Sequence, residues 1–100
     1  MNANRKISVE IKFRTPLNGG RTNPVILNGG AYRPHLKVGD GEYLGVAFVD
    51  GSPEPVSPGE STIANVVLVY EPDVDYSALI SGADFEVFEG NNNVANGKVT

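Results

Sequence analysis

Ile7, Val9, Ile11 and Phe13 alternate with Ser8, Glu10, Lys12 and Arg14, a period of two that turns one side of the segment inward and the other to water. Residues 6–14 therefore read as a strand. Pro16, Asn18, Gly19 and Gly20 make residues 15–23 a loop, after which Val25-Ile26-Leu27 reads as a short strand closed by the turn Asn28-Gly29-Gly30. Leu36 and Val38 alternate with His35 and Lys37, a further short strand that stops at Gly39-Asp40-Gly41. Tyr43 to Val49 is rich in β-formers, and Gly45 inside it marks a bulge or a close backbone approach. Glycines and prolines break the chain from Asp50 to Glu60. The long apolar segment from Ser61 to Tyr70 reads as a strand buried on both sides at its end, stopped by Glu71-Pro72-Asp73. Residues 76–82 fit a single helical or 3₁₀ turn. Phe85 and Val87 on one side, Val94 and Val99 on the other, flank Glu89-Gly90-Asn91-Asn92-Asn93, a hairpin loop rich in residues that tolerate positive φ. Six or seven short strands with frequent turns predict an all-β antiparallel barrel or sandwich.

Composition supports this without naming a function. A chain of 100 residues is the size of one domain, and 12 Gly with 7 Pro favour turns and short strands over helices. Cysteine is absent, which removes disulfides, thiolate metal sites and a cysteine nucleophile and suits a reducing cytoplasm. No apolar run approaches the roughly 18 residues that span a bilayer, and Met1 to Lys6 lack the apolar stretch of a signal peptide, so a cytoplasmic protein that does not engage membranes is expected. The net charge of −4 argues against a nucleic-acid role, since phosphate binding needs a basic footprint. Basic residues cluster only at Arg5, Lys6, Lys12 and Arg14 and at Arg21, Arg33, His35 and Lys37.

Several turns occur in a recognisable order. Gly19-Gly20-Arg21 with Pro24, Tyr32-Arg33-Pro34-His35, Pro58-Gly59-Glu60, and Phe85-Glu86-Val87-Phe88-Glu89-Gly90 before Gly97-Lys98-Val99 run through residues 6–99. Together they resemble the C-terminal β-barrel domain, domain 3, of translation elongation factor Tu. The resemblance implies a six-stranded antiparallel closed β-barrel over residues 6–100, preceded by a disordered segment at 1–5. It also implies contacts with tRNA and with protein partners of the translation machinery. No phosphate loop of the form G-x-x-x-x-G-K-[ST] is present, so neither nucleotide binding nor GTPase activity is expected. The tRNA role is weakened where the family's charged or polar groups give way to Leu44, Phe88, Asn91 and Asn92.

Arg33, His35 and Lys37 share one side of a strand and read either as an anion- or RNA-contacting face or as solvated residues beside a turn, Arg33 then taking the family's structural ion pair. Ser57 or Ser61 could be drawn with His35 and Asp73 as a hydrolytic triad, but no nucleophile elbow accompanies them. Glu71, Asp73 and Asp75 alternate like calcium ligands, yet Pro72 interrupts them and the remaining ligands of a calcium loop are missing. Tyr70 and Tyr76 border that loop and suit a protein interface; the alternative places one in the core and one over the barrel end. The reading that results is a non-catalytic binding module without cofactor or metal, taking a protein partner linked to translation. Its binding residues would be Arg33, His35, Glu89, Gly90, Tyr70 and Tyr76. The rival is an RNA- or tRNA-binding module using Arg21, Arg33, His35, Lys37 and the Glu89-Gly90 loop, and a small hydrolase ranks third. Self-association through an exposed barrel edge stays open.

Overall fold

Among the described residues the chain forms seven strands: β1 (Lys6–Phe13), β2 (His35–Lys37), β3 (Leu44–Gly45), β4 (Ala47–Ser52), β5 (Ser61–Val67), β6 (Asp84–Glu89) and β7 (Asn92–Val99). The computed structural model describes residues 4–52 and 55–100. Of the expected disordered segment 1–5, residues 1–3 lie outside the described residues, as do Pro53 and Glu54. Asn4 donates to the Val69 carbonyl at 3.1 Å, and Arg5 pairs with Glu71 at 2.7 Å.

All ladders are antiparallel and build one sheet in the order β3-β2-β6-β7-β1-β5-β4. The sheet curls into a half-barrel, not the expected closed six-stranded barrel. The difference lies at Val46. Tyr43 to Val49 reads as one strand in the sequence, but it changes neighbours: β3 pairs with β2 and β4 with β5. The two edge strands of the sheet are therefore consecutive in the chain, with only Val46 between them. Its N–H donates to the Pro34 carbonyl at 3.1 Å, and that of Phe48 to the Tyr32 carbonyl at 2.9 Å.

Alternation decides which side chains enter the curl. Val9, Ile11 and Phe13 of β1 point inward at 0–2% exposure, and Leu36, Phe48, Val66 and Val87 join them from other strands at 0%. Each such side chain stabilises the fold by about 1.5–3 kcal/mol over its exposed state. In β5, Thr62, Ala64 and Val66 are buried while Ile63 is exposed, and at the end of the segment Val66 and Leu68 are buried while Val67 and Val69 are only half-buried. The strand thus keeps one wet face and is not buried on both sides, as an antiparallel sheet permits.

One further expectation is corrected. Val25 to Leu27 forms no strand, only a single bridge between Val25 and Val56. Its partner segment carries Pro55 and Pro58, which offer no N–H to extend a ladder. Over residues 76–83 the chain makes two isolated i→i+3 turns, Leu79 N–H to Tyr76 O and Ala83 N–H to Ile80 O, both 2.9 Å, single turns of the 3₁₀ type that do not continue into a helix. Among the described residues no helix is long and apolar enough to cross a membrane.

Candidate functional site

The outer face of β2, β3 and β6 carries an aromatic surface. Leu36 points into the core, so His35 and Lys37 on either side of it point outward. In the ladders His35 lies between Gly45 and Phe88, and Lys37 lies beside Glu86. The Tyr43 ring stands edge-on to His35 at 6.3 Å and to Phe88 at 5.1 Å, and the Lys37 ammonium sits 5.3 Å from its centroid. Edge-to-face rings and a cation over a ring face are both attractive geometries.

Gly45 explains how Tyr70 joins this surface from a distant loop. A Cβ at position 45 would run into the Tyr70 ring, so the missing side chain is the seat of that ring. Tyr76, only 2% exposed, fixes the arrangement from beneath. Its hydroxyl donates to the Gly45 carbonyl at 2.6 Å and accepts from the Tyr70 N–H at 3.2 Å. Burial pushes the Tyr76 phenol up from its ordinary pKa. Tyr76 is thus a core residue that positions Tyr70, whereas Tyr70 and Tyr43 stay 54% and 50% exposed.

Glu89 and Arg21 go elsewhere. One Glu89 oxygen accepts from Arg21 Nη1 at 2.5 Å and from the Tyr32 hydroxyl at 2.6 Å. The Arg21 guanidinium also lies 5.7 Å from the Tyr32 centroid, and Tyr32 packs on Phe48 at 5.5 Å and Phe13 at 6.4 Å. Gly90, with φ 61°, makes the tight turn between β6 and β7. Arg33 donates through Nε to the Gly30 carbonyl at 2.9 Å and takes part in none of the ion pairs among the described residues, whereas Arg21 pairs with Glu89. The proposed RNA set is therefore divided: Arg21 and Glu89 neutralise each other, and His35 and Lys37 lie on the aromatic surface.

The remaining sequence candidates do not assemble. Among the described residues no hydrogen bond joins His35 to Ser57, Ser61 or Asp73. Glu71 turns its carboxylate to Arg5, which holds it below the usual carboxylate range, and Asp75 accepts from the Ser77 N–H, which lowers it likewise. No metal-ligating cluster occurs among the described residues. Two members of the aromatic surface were not singled out as site residues from the sequence. For Phe88 the signal exists, because inward Phe85 and Val87 leave it on the wet side. Tyr43 offers only its place after the turn Gly39-Asp40-Gly41.

The Tyr32 network has a consequence at alkaline pH. Burial first, and then the hydrogen bond to Glu89, raise the Tyr32 phenol far above its ordinary value, so the folded state holds the proton that the unfolded chain releases near pH 10. A raised pKa contributes stability that is complete below the unfolded value and lost as pH climbs above it. Each such tyrosine steepens the loss by about 1.4 kcal/mol per pH unit. Denaturant titrations between pH 9 and pH 12 are expected to show this slope and to show it reduced in Tyr32→Phe. An identical slope in that variant would remove Tyr32 as its source.

The chain matches no known protein-family model and no curated protein.

Proposed function

We propose that this chain is a non-catalytic binding module, related in design to domain 3 of elongation factor Tu, and that it takes a protein partner on the surface formed by Tyr43, Tyr70, His35, Phe88 and Lys37. The observation that carries this reading is the exposure of Tyr43 and Tyr70 on either side of His35 and Gly45. Exposed tyrosines give large contact areas at low entropic cost and are enriched where interfaces draw their affinity. The relation to elongation factor Tu, and with it the link to translation, rests on the ordered turn motifs. RNA binding is the weaker alternative, because Arg21 is spent on Glu89 and the chain is acidic.

The test compares the unaltered chain with Tyr43→Ala/Tyr70→Ala as baits in a lysate of the source cells at near-physiological salt. A specific protein held by the first and lost by the second, with at least tenfold weaker binding in a purified assay, is the expected result. Equal retention by both baits removes the aromatic surface from the proposal. Binding of tRNA with an affinity that falls steeply as salt rises would instead establish the RNA reading. Gly45→Ala provides a second probe, since it displaces the Tyr70 ring while leaving both tyrosines in place.

A further inference from the structure

Two turns meet at one end of β1. The chain leaves β1 through Arg14 into a 3₁₀ turn, Pro16–Asn18, closed by Asn18 and Gly20 N–H groups on the Thr15 carbonyl at 3.0 and 2.9 Å. A Cβ on Gly20 would strike the Arg14 backbone, so the turn folds directly against that arginine. From the other side the Pro58-Gly59-Glu60 turn is tied to β1 through Gly59 N–H to Phe13 O at 3.1 Å and Phe13 N–H to Glu60 O at 3.0 Å. A cavity of about 510 Å³ lies here, and its polar lining is Lys12, Arg14, Thr15, Asn18 and Asn96.

The charges in this lining are one-sided. The chain carries −4 overall, yet the cavity presents two cations and no carboxylate. Neither cation takes part in an ion pair among the described residues, which pair Arg5 with Glu71, Arg21 with Glu89 and Lys98 with Asp84. The Arg14 side chain makes a single long hydrogen bond, Nη1 to the Asn18 carbonyl at 3.4 Å, and its Nε is buried without an acceptor. Glu60, the acid closest along the turn, accepts from the Ser57 N–H at 2.8 Å, and Glu10 and Asp84 lie in the neighbouring groove, whose lining Lys12, Asn96 and Lys98 share. A buried guanidinium N–H without a partner destabilises the fold, so packing does not account for arginine at this position.

We propose that the cavity is an oxyanion site that binds a small molecule through its phosphate group. The Nε–Nη edge of a guanidinium offers two parallel donors that match phosphate oxygens, and binding would require the half-buried Arg14 side chain to turn that edge into the cavity. Lys12, on the outward face of β1 two residues before Arg14, supplies a second charge. Two cations suit a dianionic phosphate, where a carboxylate would neutralise only one. The Asn18 and Asn96 amides and the Thr15 hydroxyl add neutral donors. At about 30 Å³ per water molecule this open groove has room for more than a bare ion, which suits an organic phosphate. This site lies on β1 and its flanking turns and stands independently of the aromatic surface.

The experiment is a ¹H–¹⁵N NMR titration of the full chain, following arginine Nε–H and asparagine side-chain signals. Inorganic phosphate and glycerol 3-phosphate are the probes, with acetate as the comparison. Saturable shifts of Arg14 Nε–H and of the Asn18 and Asn96 amides are expected with both phosphates, the organic one binding at least as tightly. Lys12→Gln and Arg14→Gln should each weaken binding tenfold or more, the rest of the spectrum reporting that the fold is kept. Should Arg14→Gln fail to fold, exposed Lys12 carries the comparison. Absence of saturable shifts, unchanged affinity in Lys12→Gln, or acetate binding as well as phosphate would each overturn the assignment.

Discussion

Phe48→Ala is expected to lower the stability of this domain by about 3–5 kcal/mol, a large part of the roughly 5–15 kcal/mol that holds most domains folded. Phe48 is 0% exposed and packs its ring 5.5 Å from that of Tyr32. It stands two residues after Val46, where the chain passes from the β2 side of the sheet to β5, and it pairs with Val66 just before a register shift. The ring therefore fills the curl at the place where the two edges of the sheet follow one another. Truncation removes apolar burial and leaves a cavity that the surrounding strands cannot close without losing register. At about 4–8 °C per kcal/mol for a domain of this size, the thermal midpoint should fall by roughly 12–40 °C. Phe48→Leu, which keeps most of the volume, should cost less than about 1.5 kcal/mol. Circular dichroism melts of the three proteins check this. A loss below about 1 kcal/mol for the alanine variant would mean that the core is organised around other residues.

Glu89→Ala should cost about 2–3 kcal/mol, because it takes the acceptor from two donors at once. Arg21 and Tyr32 share one oxygen of this carboxylate, and the Arg21 and Glu89 side chains are 26% and 30% exposed, so water screens the pair only in part. Glu89→Gln keeps an oxygen for the tyrosine but drops the charge, and should cost less. A double-mutant cycle with Arg21→Ala isolates the coupling, expected near 1–2 kcal/mol within the range seen for residues in one network. The same experiment separates two roles for Glu89. If its removal leaves stability unchanged and alters only the binding of a partner or RNA, the side chain is a contact residue and not the strut described above.

The strands were legible wherever one face is wet. The alternation of residues 6–14 located β1, and Phe85 with Val87 located β6, because burial on a single face imprints a period of two. The break at Val46 was not legible. Residues 44–48 are all buried, so the run has no periodicity to show which neighbour each residue serves. Half of the candidate site could be read in the same way, His35 and Lys37 outward around Leu36. Its completion depends on Gly45 receiving a ring from Tyr70. The glycine announced a close approach without saying of what. Tyr70 and Tyr76 were indistinguishable until the Gly45 carbonyl, 31 residues from Tyr76, selected one of them for burial. Glu89 looked like an exposed loop tip because its partner Arg21 lies 68 residues away. Local patterns report solvent; they do not report which distant group supplies a counter-charge.

The position of β1 has a consequence in time. It lies between β5 and β7, with Lys6 opposite Val67 and Val9 opposite Val99. During synthesis the first strand to emerge is the one whose two neighbours emerge late, and its second edge stays bare until residues 95–99 have been made. A nascent chain thus carries an alternating, half-apolar ribbon with unpaired N–H and C=O groups while the rest of this domain is being made. Folding must wait for these distant segments to meet, which places the domain among the slower all-β folders and makes β1 the segment for a chaperone to cover first.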